Sequence, residues 1–275
     1  MKPATVSPLV TPADWGGLRR FTDARIALGR AGHSQPTAAH LAFQLAHAQA
    51  RDAVYAPLNV EAVSAALEAL GLAPVLLHSA APDREAFLQR PDWGRRLDTP
   101  SREVLLASQS PQKAAKPADL AFVVADGLSA QAINQHAAPL LAHLLPLLRD
   151  DSAQRWRLAP VALVQQGRVA VGDEVGELLG AGCVVVLIGE RPGLSSPDSL
   201  GVYFTWAPRV GLTDAQRNCI SNVRQAGLSP EHAAQKLHAL LSRARALQLS
   251  GVALKDESDG PSASLTTGRA SLPGN

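Results

Sequence analysis

The chain has 275 residues and is 46% hydrophobic, enough to bury a large core in one or two domains. Its 26 basic and 24 acidic residues leave a net charge of +2, scattered rather than striped, so no nucleic-acid-binding surface is expected. Two cysteines exclude a disulfide scaffold and point to a reducing, cytosolic compartment. No run approaches the roughly 18 apolar residues of a membrane span, and no signal core or basic presequence opens the chain.

Residues 1–16 are rich in Pro and Thr and are read as a flexible N-terminus. From Leu18 to about Leu97 the pattern is mainly helical, which suggests a small helical N-terminal domain over 17–100. Ala39, Phe43, Ala46, Ala50 and Val54 recur at spacings of three or four and predict one apolar helix face. Asn59 can cap a second helix that stops at Gly71. Arg84 to Arg96 reads as a short helix plus loop.

The pattern changes after Pro100 to strands alternating with helices, which predicts a Rossmann-like, mostly parallel α/β domain over 101–254. Leu120 to Ala125 is a short apolar strand. It ends at Asp126-Gly127-Leu128-Ser129, a turn and polar cap that open a helix from Ala130 to Leu148. Pro160–Gln165 and Arg168–Val171 flank Gln166-Gly167 and predict a tight hairpin. Asp173 is a candidate cap for a helix from Glu174 to Gly180. Cys183 to Ile188 is apolar on both faces, as in a buried parallel strand, and breaks into Gly189-Glu190-Arg191-Pro192-Gly193. Ligands of open α/β sheets sit just past the carboxyl ends of such strands, so this break reads as a binding loop. Val202–Trp206 is a further strand. Ser229-Pro230 starts a helix to about Leu249, with Ala233, Leu237, Leu240, Ala244 and Leu247 facing the core. The tail 255–275 lacks apolar periodicity and is read as disordered.

Chemistry-bearing motifs are few. Neither a dinucleotide fingerprint nor a phosphate-binding Gly-rich loop ending in Lys-Ser/Thr is present. His40 and His47, like His136 and His143, lie two helical turns apart with no obvious carboxylate or thiol companion, which suits surface histidines better than metal ligands. Cys183 reads as a core hydrophobe. Cys219, between Asn218 and Ile220 in polar company after a strand, reads as a pocket-lining thiol without a local histidine partner. Glu190 can accept hydrogen bonds from a ligand's amide or hydroxyl groups. An exposed Glu190–Arg191 pair of little energetic weight is the plainer alternative.

Five segments carry a resemblance. DGLSAQAI (126–133), the run from QQGRVAV to FTWAPR (165–209), RNCISNVR (217–224), RIALGRAGHSQPT (25–37) and RPDWGRRL (90–97) resemble the light chain of ethanolamine ammonia-lyase, in one order over about 18–254. The resemblance implies a two-chain enzyme that uses adenosylcobalamin to convert ethanolamine into acetaldehyde and ammonia by a radical route. It implies a large-subunit partner with a β/α barrel that holds the substrate, in a hetero-oligomer whose small chain closes over the cobalamin. Three family cobalamin contacts match this sequence: Val169, Glu190 and Cys219. No catalytic acid, base or nucleophile and no metal ligand is expected in this chain. No histidine follows an Asp by two residues, so the Asp-x-His-x-x-Gly motif that ligates cobalt elsewhere is absent and the cofactor is expected to keep its own base. About 17 residues precede the shared region, which argues against packaging in a bacterial microcompartment. A non-catalytic α/β binding or regulatory protein, or a free-standing enzyme, remain the competing readings.

Overall fold

The structure is a computed structural model that describes residues 9–108, 117–150 and 155–254; the first half of the stretch read as flexible (1–8) and the whole tail read as disordered (255–275) lie outside the described residues. Six strands form one sheet: β1 (Pro74–His78), β2 (Leu120–Ala125), β3 (Val161–Gln165), β4 (Cys183–Gly189), β5 (Leu200–Trp206) and β6 (Arg217–Val223). Their order is β1-β3-β2-β4-β5-β6. The first four run parallel, while β5 is antiparallel to both β4 and β6, so the architecture is α/β with a mixed sheet.

Alternation along the strands divides the core in two. Leu120, Phe122 and Val124 of β2, with Cys183, Val185 and Leu187 of β4, face the layer made by α2 (Val60–Ala69), α5 (Ala130–Asp150) and α7 (Pro230–Leu247). Ala121, Val123 and Ala125, with Val184, Val186 and Ile188, face α4 (Thr99–Ser108) and α6 (Val171–Leu178). Both faces of β2 and β4 are covered, which is why these strands read as unbroken apolar runs. On the second face Gly172 and Gly176, one turn apart, let α6 approach closely: a Cβ at Gly172 would lie 2.3 Å from a Val186 methyl.

Helix signals in the sequence behave as expected at several ends. Asn59 accepts from the Ala62 amide at 3.0 Å and caps α2, and Gly71 takes a positive φ just beyond it. Ser229 accepts from the His232 amide, with Pro230 first in α7.

Five local readings are corrected. First, β1 lies in the stretch expected to be mainly helical, and it pairs with β3 at the sheet edge. Second, there is no hairpin at Gln166-Gly167. Both edges of β3 are already occupied by β1 and β2, and the chain turns instead into α6. Third, α6 begins at Val171, so Asp173 lies in its first turn and caps nothing. Its buried carboxylate accepts a hydrogen bond from Arg217 of β6. Fourth, His136 is no surface histidine: it is buried, with Nε2 2.9 Å from Asp198 Oδ2. Fifth, Phe43 and Leu247, expected on core faces, are exposed; α1 (Thr37–Tyr55) buries only Ala46 and Ala53.

Candidate functional site

The helices that follow β2 and β3 leave toward opposite faces, since α5 packs in one core layer and α6 in the other. Adjacent parallel strands whose outgoing connections diverge leave a crevice at their carboxyl ends. A cleft of about 420 Å³ lies there. It is walled by Gly127 and Leu128 after β2, Gly167 to Val169 after β3, and Ile188 to Arg191 at the end of β4, with Phe87, Tyr203 and Ser221 beside them.

Backbone close approach shapes its floor. Leu128 N donates to Gly189 O at 2.9 Å, which draws the ends of β2 and β4 together. Gly127 has φ +58°, and a Cβ there would stand 2.3 Å from the Gly189 carbonyl oxygen. Only glycine meets both demands. Asp126, 3% exposed, accepts from Gln166 N at 3.0 Å and Gly167 N at 3.1 Å and so ties the loop after β3 to the end of β2. Burial pushes its carboxyl above the ordinary carboxylate range, against the pull of those amides and of Arg84. Arg84, from α3 (Arg84–Gln89), reaches across this floor. Its Nε donates to Val54 O, and its Nη1 donates to Gly127 O and Gln166 Oε1.

The loop between β4 and β5 forms the outer wall and is held from several elements. Ser129 Oγ donates to Pro197 O at 2.7 Å, and Arg224 Nη1 donates to Ser195 O at 2.7 Å. Asp198 lies between His136 of α5 and Arg224, whose Nε is 3.2 Å from Asp198 Oδ1. Arg25 adds a bond to Leu194 O at 3.1 Å.

Of the three residues singled out in the sequence, the structure brings two into the cleft. Val169 is half-buried in the loop between β3 and α6, and Glu190 follows β4 directly. Glu190 is paired with neither water-facing Arg191 nor any other cation among the described residues. Its Oε1 accepts from Ser221 Oγ at 2.6 Å, and its Oε2 accepts from Ser199 Oγ at 2.5 Å and Asn222 N at 3.2 Å. Cys219 does not line the cleft. It sits within β6 rather than after a strand, opposite Tyr203 of β5, and its side chain is hydrogen-bonded to the Tyr203 hydroxyl. Although the residue is exposed, partial desolvation lifts its thiol above the usual range; the Tyr203 hydrogen bond opposes this and the Glu190 charge adds to it. Cys183 is fully buried, donates to Asp119 O at 3.2 Å, and its thiol is pushed up to about 12 by burial.

Sequence reasoning missed Phe87, Arg168, Tyr203 and Ser221. Phe87 and Arg168 belong to segments far apart in the chain, and β6 carries too few apolar residues to announce itself as a strand. Arg191, which makes no pair with Glu190, also lines the cleft. Among the described residues no group of three or more His, Cys, Asp or Glu side chains could hold a metal ion, and no helix is long and apolar enough to cross a membrane.

This fold and cleft belong to a sequence with close relatives. Residues 12–255 match the family described as ethanolamine ammonia-lyase light chain. The chain belongs to the ethanolamine ammonia-lyase light-chain family. It is similar to proteins named ethanolamine ammonia-lyase small subunit from three organisms. The Ralstonia nicotianae protein is 60% identical over 94% of this chain and 93% of its own length. The Azotobacter vinelandii protein is 58% identical over 99% and 96%, and that of Xanthomonas campestris pv. campestris 56% identical over 98% and 97%. The chain is thus a lyase subunit. The two windows that held the resemblance most firmly, around GERPGLSSPDSL and RNCISN, are the outer wall of the cleft and the strand behind it.

Proposed function

We propose that this light chain holds adenosylcobalamin in the cleft at the carboxyl ends of β2, β3 and β4, and that a large subunit closes over it to complete an ethanolamine ammonia-lyase that releases acetaldehyde and ammonia. The observation that carries this reading is the convergence of Val169 and Glu190, from loops after different strands, on one cleft. The lining suits the group. Val169, Leu128 and Ile188 offer apolar surface to a flat macrocycle, while Glu190 and Ser221 offer polar partners to its peripheral amides. At Gly127 and Gly189 a Cβ would collide with the backbone of the neighbouring strand end, so the floor keeps its shape only with glycine there. When bound, the group supplies radical-generating chemistry that no side chain of this subunit can provide.

This chain's own task is then binding and orientation. Glu190 is held by Ser199, Ser221 and the Asn222 amide, so its carboxylate is fixed in place and needs little reordering to meet a donor. Val169 supplies contact area at low entropic cost because its χ1 is stiff. Cys219 acts through Tyr203, against which its thiol rests, as a small polarizable support at the cleft's edge. The cleft holds about 420 Å³, less than a whole corrinoid with its side chains, which leaves the remaining surface for a partner subunit.

The test is co-expression with the large subunit. The pair should form a complex and release acetaldehyde only with adenosylcobalamin, and the light chain alone should release none. Glu190→Ala should weaken cobalamin affinity by about 1–3 kcal/mol while the subunits still assemble. Unchanged affinity in an assembled variant would remove Glu190 from the site.

A further inference from the structure

The inner wall of the cleft carries positive charge that the protein itself does not neutralise. Phe87 is buried between two guanidinium groups, with Arg84 Cζ 4.6 Å and Arg168 Cζ 4.3 Å from its ring centroid. The two arginines differ in what else they hold. Arg84 spends Nε and Nη1 on Val54 O, Gly127 O and Gln166 Oε1, and so braces the floor. The Arg168 side chain donates only from Nη2, to Phe87 O at 2.9 Å, and its buried Nε has no partner among the described residues. Arg168 lines the cleft, and Arg191 lines it too. Neither makes an ion pair among the described residues. The acid lining this cleft, Glu190, is committed to Ser199, Ser221 and Asn222. Burial, with the nearby charges of Arg95 and Arg84, pushes the Arg168 guanidinium below its ordinary range, as expected for a cation without a counter-charge.

A guanidinium held over an aromatic ring has its plane fixed, and the Nη hydrogens it does not spend on Phe87 O then present a rigid fork suited to a tetrahedral oxyanion. We propose that Arg168, stacked on Phe87, is an anion subsite of the cleft and takes a phosphate ester. This rests on the cobalamin reading above, in which the peripheral amides are neutral and the phosphodiester of the nucleotide loop is the anion to be met. Arg191, exposed at the opposite loop, contributes field rather than geometry.

The test uses the assembled two-chain complex and three corrinoids: cobinamide, which lacks the phosphate, cobinamide phosphate, and cobalamin, each titrated by its visible absorption. The wild-type complex should bind cobinamide phosphate roughly tenfold or more tighter than cobinamide. Arg168→Gln should abolish that preference and leave cobinamide affinity unchanged, which also shows that the cleft has folded. If the glutamine variant does not assemble, Arg168→Lys reads the same ratio, which should fall because the fork is lost. An undiminished ratio in either variant, or equal binding of the two cobinamides by the wild type, overturns the subsite while leaving the cobalamin reading standing. Failure of the wild-type complex to bind any of the three corrinoids overturns both.

Discussion

Cys219 shows how little a residue's sequence neighbours say about its chemistry. Arg217-Asn218 before it and Ser221-Asn222 after it suggest a thiol that follows a strand and lines a pocket. It lies within β6, exposed yet outside the cleft, with its pKa raised by partial desolvation and by Glu190 against the opposing hydrogen bond from Tyr203. A raised thiol pKa leaves less thiolate at neutral pH, and thiolate is the nucleophile. Alkylation of Cys219 by iodoacetamide should therefore be slower at pH 7.5, taken as about neutral, than that of a free thiol. Its rate should climb with pH to a midpoint above the ordinary cysteine range near ~8.5. Cys183 should stay unreactive in the folded chain because it is fully buried. A midpoint at or below the free-thiol value would refute this account of Cys219. Glu190 was legible as a site residue because it follows an apolar strand; its three hydrogen-bond donors were not, since two of them arrive from β6.

At the scale of elements, the loop between β4 and β5 is the piece whose order most needs explaining. Six of its ten residues are Pro, Gly or Ser and it has little apolar content, yet it starts from the cleft wall at Glu190 and Arg191. Its shape is imposed from outside through Ser129, His136, Arg224 and Arg25. Asp198 is the centre of this arrangement, since it meets a histidine of α5 and an arginine that follows β6. Asp198→Ala should cost about 1–3 kcal/mol, because it leaves a largely buried histidine without its hydrogen-bond partner and a largely buried arginine without its nearby carboxylate. Urea unfolding checks this, and a loss below about 0.5 kcal/mol, the range of ordinary surface substitutions, would show that the loop is held by its backbone contacts alone. The sequence marked this segment as a loop of unusual composition. It could not mark its anchors, because every one lies more than 25 positions away in the chain.

Across the whole molecule, stability is unevenly spread. The central strands β2 and β4 are buried along their full lengths, and α5 and α7 pack on each other over one face. From residue 9 to the end of α1 the chain is largely exposed, with Leu18, Phe21, Leu41 and Leu45 at least half open to solvent. Segments with few buried apolar contacts open at the low end of the free-energy scale. In hydrogen exchange on the isolated light chain, amides of α1 should therefore exchange orders of magnitude faster than those of β2 and β4. Comparable protection would mean that α1 draws its stability from contacts other than those of this chain's core.

The sequence by itself determined the α/β class, the buried strands β2 and β4, the capped starts of α2 and α7, and the family. Each of these is written in local periodicity, in capping chemistry or in contiguous strings such as GERPGLSSPDSL. Tertiary structure alone decided that β1 joins the sheet, that the chain through Arg168 leads into α6 rather than a hairpin, and that β5 and β6 make the sheet mixed. These depend on which strand edges are already occupied, a property of pairing across distant segments that no local pattern encodes. The cleft belongs to the second kind. Gly127, Arg168 and Glu190 stand far apart in the chain and meet because α5 and α6 leave adjacent strands toward opposite faces.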